Sequence, residues 1–186
     1  MTLVLGVGNK ARHGKDTVAE ALVDHYTHQQ NAFLKHLGST LNVPTVKQFR
    51  FAEALYDECR KLHGMKEKDA PLLQKVGAAR RAENPNYWID KVFSQMGNVD
   101  IAVISDVRYL NEAAAVKKIG GYLLNVTRLN PDGTIYIADD RPANHPSEIE
   151  LDGYAWDFYI KAYSGEAALV ADQAITIVEY LRGLND

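Results

Sequence analysis

Gly8-Asn9-Lys10-Ala11-Arg12-His13-Gly14-Lys15-Asp16-Thr17 is the stretch that decides the fold. Residues 2–7 before it are apolar and read as a buried strand. Residues 15–29 after it carry Val18, Leu22 and Tyr26 at a spacing of four, one face of a helix. Strand, glycine-bearing loop and helix in that order build an anion site. A helix N-terminus presents unpaired N–H groups and a partial positive charge. Glycine lets the backbone curl so that several N–H groups face one anion. Lys15 adds a point charge over the same spot.

The usual phosphate loop is Gly, four residues, Gly-Lys and then Ser or Thr. Counting back from Gly14 puts Asn9 at the first position, with Gly8 one residue early. Asparagine visits left-handed backbone more readily than other side-chain-bearing residues, so the turn survives. Asp16 stands where a hydroxyl normally helps to hold Mg²⁺, and Thr17 follows it. A carboxylate is also a hard oxygen ligand. The competing reading, a basic surface turn before a helix, explains neither the strand nor the helix around the loop.

Working outward, strand and helix patterns alternate, which predicts an α/β domain with a mostly parallel sheet. Strands are expected at 45–51, 101–105, 122–127 and 157–162, giving five with the first. Helices are expected at 52–62, stopped by Gly64, and at 69–82, 86–96, 111–119 and 165–181. Residues 128–152 hold Pro131, Pro142 and Pro146 with little helical periodicity, and read as a long loop or lid. With the phosphate loop, this is a P-loop NTPase fold: a mostly parallel five-stranded sheet flanked by helices, with a lid segment.

Composition narrows the function. Net charge is −3, so no global field favours nucleic acid, and no basic stripe with interleaved aromatics appears. No apolar run reaches the length of a membrane span, and the N-terminus lacks the basic region of a signal peptide, so a cytoplasmic protein is expected. The single cysteine, Cys59, excludes an internal disulfide and a cysteine metal cluster. His145 and its neighbouring carboxylates do not have zinc spacing. The ten tyrosines and some apolar surface allow a homodimer.

Residues 101–106 are four apolar residues, a serine and Asp106. Ligands gather at the C-terminal ends of parallel strands, so Asp106 beside a phosphate loop is placed to orient Mg²⁺; a strand-end turn or helix cap is the alternative. Arg108 follows two residues on. Arg12, Arg80, Arg81, Arg128 and Arg141 are further candidates to clamp phosphate, because the guanidinium fork binds oxyanions bidentately.

The stretch 9–17 resembles the Gly-x-Lys-x-Arg-x-Gly-Lys-Asp-Thr loop of the bacteriophage deoxynucleoside monophosphate kinases, in the adenylate-kinase-like group of P-loop kinases. Phe51-Ala52-Glu53-Ala54-Leu55 is similar to that family's Phe-Ala-x-x-Leu helix start. Leu72-Leu73-Gln74 and Pro85-Asn86-Tyr87-Trp88 resemble its acceptor-side helices. Ser105-Asp106-Val107-Arg108-Tyr109-Leu110-Asn111-Glu112 is similar to its Asp-x-Arg-x-x-Asn-Glu segment. His145-Pro146-Ser147-Glu148 resembles its His-x-Ser-Glu segment. Asn9 departs from the family's glycine.

The resemblance implies one kinase domain over 1–186, with acceptor-binding helices at about 52–98 and a lid at about 128–152. It implies transfer of the γ-phosphate of ATP, with Mg²⁺, to a (deoxy)nucleoside monophosphate. On that reading Asn9, Lys10, Ala11, Arg12, His13, Gly14, Lys15, Asp16 and Thr17 hold the ATP phosphates, and Asp16 and Asp106 hold the metal. Lys15 and Arg108 are catalytic, with Arg128 or Arg141 as the lid arginine. Phe51, Gln74, Arg80, Tyr87, Trp88, Arg108 and Glu112 face the acceptor. Tyr87, Trp88 and Gln74 suit a nucleobase by stacking and amide donation, and the same aromatics also suit a core. Two alternatives stay open: a phosphomevalonate-kinase-like enzyme, and a nucleotide-binding regulatory module without turnover.

Overall fold

The computed structural model describes residues 2–37, 43–138, 142 and 144–184, without the side chains of 33–37. In chain order the elements are β1 (Leu3–Gly8), α1 (Lys15–Leu37), β2 (Val46–Phe49), α2 (Phe51–His63), α3 (Ala70–Glu83), α4 (Tyr87–Phe93), β3 (Ile101–Val107), α5 (Leu110–Lys118), β4 (Tyr122–Leu129), α6 (Pro146–Ile149), β5 (Phe158–Tyr163) and α7 (Ala167–Gly183). The five strands lie in the order β2-β3-β1-β4-β5, and every neighbouring pair is parallel. This is the P-loop NTPase arrangement, with β1 at the centre. The chain leaves β1 to one side and later crosses back to β4 on the other. The phosphate loop therefore opens at the switch point where ligands of such sheets bind.

The central strands β1 and β3 read as near-continuous apolar runs because both faces of the sheet are covered there. Alternation along each strand divides the core. Val4, Ala102, Ile104 and Leu123 face a layer with α2, α4 and α5, while Leu5, Val7, Val103 and Leu124 face α1 and α7. Val18, Leu22 and Tyr26, the expected face of α1, are all buried in the second layer.

Helix α1 runs eight residues beyond its expected end, to Leu37. Its extension docks on the approach to β2, where the Gln30 side chain donates to the carbonyls of Val43 and Pro44 at 3.3 and 3.5 Å. Strand β2 ends at Phe49 and α2 begins at Phe51, two residues and one residue earlier than expected. Asp106 is the cause, since its carboxylate accepts the N–H groups of Phe51 and Ala52, both at 2.8 Å. Gly64 stops α2 in left-handed backbone at φ +67°. The described residues of 128–152 are irregular apart from the end of β4 and the short α6.

Gly8, which looked misplaced, belongs to β1 rather than to the turn. A Cβ there would lie 2.2 Å from the Trp156 ring and 2.7 Å from the Val107 carbonyl. The glycine lets Trp156 close over the strand end.

Candidate functional site

Asn9 takes the positive φ that the loop needs, at +115°. Left-handed backbone costs a side-chain-bearing residue about 1–2 kcal/mol. Asn9 offsets this with its own amide, whose nitrogen lies 3.1 Å from Asn125 Oδ1 and 2.9 Å from both the Val126 carbonyl and Thr127 Oγ1. The first turn is thus pinned to β4 by a side chain instead of being freed by a glycine. Arg12 and Gly14 also have positive φ, +58° and +91°.

Lys15, 6% exposed, folds back over the loop. Its ammonium donates to the carbonyl of Asn9 at 3.0 Å and to that of Lys10. Burial first, and then the charge of Arg108, push the Lys15 ammonium down to about 7. Glu148, Asp16 and Asp106 offset this only in part, and a phosphate over the loop adds the negative charge that favours the ammonium.

A cleft of about 410 Å³ lies over the loop, walled by residues 12–17, by Arg50 and Ala52, and by Ser105, Asp106 and Arg108. Asp16 Oδ1 accepts from Arg50 Nη2 at 2.8 Å, and from Arg50 Nε, Gln48 Nε2 and Ser105 Oγ at 3.1 Å each. Asp106 is partly buried at the end of β3, and burial raises its pKa against the pull of the α2 N–H groups. Arg108 Nη1 donates to Glu148 Oε1 at 2.7 Å. Glu148 is 8% exposed, and its other oxygen accepts the Ala11 N–H at 2.7 Å. Lys10 ties the same segment down, donating to the Glu148 carbonyl at 2.7 Å and to Asp152 at 2.8 Å. Helix α6, started by Pro146, delivers Glu148 to this place, where one carboxylate braces both the loop and Arg108.

A second cavity of about 260 Å³ adjoins the first at Arg12, His13, Gly14 and Thr17 and extends past Thr127 and Arg128 to residues 162–167. Arg128 lines this cavity and not the cleft of Lys15. Its guanidinium lies 4.1 Å from the Tyr136 ring centre, and its Nε donates to Ser164 Oγ at 2.8 Å. His13 is buried between them. Its Nδ1 accepts the Arg128 N–H at 3.3 Å, so its Nε2 carries the proton donated to the Tyr136 carbonyl at 2.9 Å. Burial lowers its pKa, which keeps the ring neutral in that bond.

Of the residues expected at the site, Arg12, His13, Gly14, Lys15, Asp16, Thr17, Asp106 and Arg108 meet in the cleft. Several expected on the acceptor side sit elsewhere. Glu58 has a fully buried side chain, which takes Arg80 Nε at 2.7 Å, Tyr87 Oη at 2.7 Å and the Lys91 ammonium. Burial alone would raise the Glu58 pKa, but Lys91, Tyr87 and Arg80 outweigh it and bring it to about 2. Trp88 and Phe51 are core residues, 3% and 4% exposed. Gln74 is exposed on α3. Glu112 caps α5 by accepting the N–H groups of Arg108 and Tyr109 at 2.8 and 3.2 Å. Burial, and after it the charge of Asp106, raise the Glu112 pKa to about 8. Arg141 lies outside the described residues.

Sequence reasoning missed Arg50 as a site residue and Glu148 as a brace. A lone arginine after a strand carries no signal. Glu148 lay inside a quoted segment, and its one clue was a carboxylate just after a helix-starting proline. The arrangement can bind a chain of phosphates over Lys15. For a divalent cation the donor set fits in chemistry: Asp16 and Asp106 both line the cleft with hard oxygens, and Mg²⁺ needs only one or two carboxylates when phosphates and water complete its shell. Among the described residues no cluster of three or more metal-ligating side chains exists. No described helix is long and apolar enough to cross a membrane.

No protein-family profile matches the chain. Over 49 residues it is 49% identical to an Acanthamoeba polyphaga mimivirus protein provisionally named a deoxynucleotide monophosphate kinase. The match covers 26% of this chain and 21% of that relative, so the chain spans about a fifth of the curated relative's length. Among solved structures, a cysteine-to-alanine variant of Mycobacterium tuberculosis APS kinase CysC aligns over 97% of both chains, with 10% identity and a TM-score of 0.45. An unliganded sugar kinase from Janibacter sp. HTCC2649 aligns over 96% of this chain and 95% of its own, with 13% identity and a TM-score of 0.41. At those scores the fold is read from the strand order and the loop alone.

Proposed function

We propose that this protein is an ATP- and Mg²⁺-dependent kinase that phosphorylates a (deoxy)nucleoside monophosphate to its diphosphate. The observation that carries the reading is the cleft itself: Lys15, with its pKa depressed, Arg108, Asp16 and Asp106 meet above a phosphate loop at the switch point of the sheet. The local likeness to a viral protein named for deoxynucleotide monophosphates supports that acceptor class.

The loop N–H groups and Lys15 take the β- and γ-phosphates of the donor, whose nucleoside extends into the cavity beside Arg128 and Tyr163. Asp16 and Asp106 would hold the metal, which would neutralise phosphate charge when bound. Arg108, aimed by Glu148, faces the phosphoryl group in flight. The acceptor oxygen is already anionic, so no general base is required, and catalysis is positioning plus charge stabilisation. The helices over about 52–98 form the acceptor side of a single kinase domain, and residues 128–152 close over the cleft.

Incubation with ATP, Mg²⁺ and each common nucleoside and deoxynucleoside monophosphate, with phosphomevalonate alongside, tests this. Diphosphate formation that disappears in Lys15→Ala is the expected result. Tight ATP binding with no transfer to any nucleotide overturns it.

A further inference from the structure

Arg50 sits at the junction of β2 and α2, and its backbone is fixed because Asp106 holds the next two N–H groups. Its guanidinium presents two N–H groups to a single oxygen of Asp16, and its Nε also reaches Ser105 Oγ at 3.3 Å. The two side chains are 35% and 60% exposed. Pairs this exposed contribute about 0–1 kcal/mol, so a stronger partner for either member breaks them. Arg50 also borders a separate cavity of about 310 Å³ between β2, α2 and α4, which gives it room to leave Asp16. Of the other cations that line the cleft, Lys15 lies over the loop carbonyls, Arg108 is held by Glu148, and Arg12 belongs to the phosphate loop, where the cleft meets the second cavity, so Arg50 is the one at the start of α2. An acceptor phosphate on the α2 side of the cleft therefore meets Arg50.

We propose that Arg50 binds the phosphate of the acceptor, and that Asp16 competes for it until the metal–nucleotide arrives. This rests on the kinase reading above. Asp16 Oδ1 cannot give its full charge to a divalent cation and to a guanidinium together. Metal at Asp16 releases Arg50, and a released fork binds phosphate bidentately. Donor and acceptor then bind cooperatively, and the coupling is reciprocal.

Titration calorimetry with the monophosphates, with and without Mg²⁺ and the non-hydrolysable β,γ-imido analogue of ATP, reads this directly. In the unsubstituted protein the analogue with Mg²⁺ tightens the acceptor about tenfold. Asp16→Asn tightens the acceptor several-fold in the free protein and removes the increment. Arg50→Gln weakens the acceptor and abolishes the increment, while the analogue still binds. Arg50→Lys keeps the charge but loses the fork, and falls between. Thermal unfolding of each variant establishes that it is folded. If the loaded protein binds a monophosphate and both Arg50 variants bind it equally well, the kinase reading stands and the Arg50 assignment falls. Asp16→Asn with unchanged acceptor affinity in the free protein also overturns the competition. If the loaded protein binds no monophosphate, the acceptor reading fails and this proposal fails with it.

Discussion

Two clusters in this molecule use the same residue types and differ in one respect. Around Glu58, two cations and a tyrosine close on a carboxylate that has no exposure. In the cleft, Lys15, Arg50 and Arg108 share a cavity with Asp16 and Asp106; Lys15 is held by carbonyls and Arg50 by an exposed carboxylate, while Arg108 is braced by the buried Glu148. The first cluster is complete: both carboxylate oxygens of Glu58 are answered by the protein. In the second, Lys15 and Arg50 are answered provisionally, by groups that a phosphate or a cation displaces. Charge density alone does not mark a site; replaceable partners do.

The largest expected effect separates the two clusters outright. Lys15→Ala should lower turnover by roughly 10²–10³-fold, the scale for loss of one charge-stabilising donor. It should leave the unfolding temperature equal or higher, because burial of the ammonium outweighs the attraction of the nearby carboxylates. Turnover is checked by diphosphate formation and stability by thermal melts. Loss of both together would mean that Lys15 is structural.

Glu58→Ala should do the reverse, costing about 3 kcal/mol in urea unfolding by stranding paired charges, while nucleotide affinity stays within a few fold. Its pH dependence has a definite sign. The folded pKa is depressed to about 2 from an ordinary 4.5. The stabilisation is therefore fully present above about 4.5 and is lost as pH falls through about 2. The stability gap between the natural protein and the variant should narrow over that window, measured by unfolding at pH 6, 4 and 3. A gap constant with pH would break the contrast.

The contrast also explains what the sequence made legible. The loop, the five strands and the meeting of Lys15, Asp16, Asp106 and Arg108 followed from local rules: a motif in its context, and a carboxylate at a strand end. Arg80, Tyr87 and Trp88 were expected on the acceptor side because arginines and aromatics suit a nucleotide. They suit a buried carboxylate and a core equally: Arg80 and Tyr87 bond Glu58, which lies 22 residues before Arg80, and Trp88 packs in the core. Arg50 and Glu148 were not legible as site residues because their roles depend on partners 34 and 40 residues away. Helix α6 is four residues long, too short for any periodicity.

Glu148→Gln sharpens the comparison at smaller scale. Glutamine keeps an acceptor for the Ala11 N–H but loses the charge that aims Arg108. Turnover should fall about tenfold, near 1.4 kcal/mol, with ATP affinity and melting temperature nearly unchanged. Equal losses in turnover and ATP affinity would place Glu148 in the loop's integrity rather than in the aim of Arg108.

The smallest effect concerns the loop's odd first residue. Asn9 has φ +115°, where a Cβ is strained, yet its amide ties the turn to Asn125, Val126 and Thr127. Asn9→Gly removes both the strain and the ties. Relief of about 1 kcal/mol then sets itself against the two hydrogen bonds an amide N–H₂ can donate, worth about 0.5–1.5 kcal/mol each, and the net loss of stability should lie between about 0 and 2 kcal/mol. Asn9→Ala loses the same bonds and keeps the strain, so it should lie below the glycine variant by about 1 kcal/mol. Chemical denaturation of the two variants side by side gives the difference, which is independent of how much the bonds themselves contribute. A glycine variant no better than the alanine one would mean that backbone strain at Asn9 is negligible. The loop would then rely on glycine at its end, at Gly14, and not at its start.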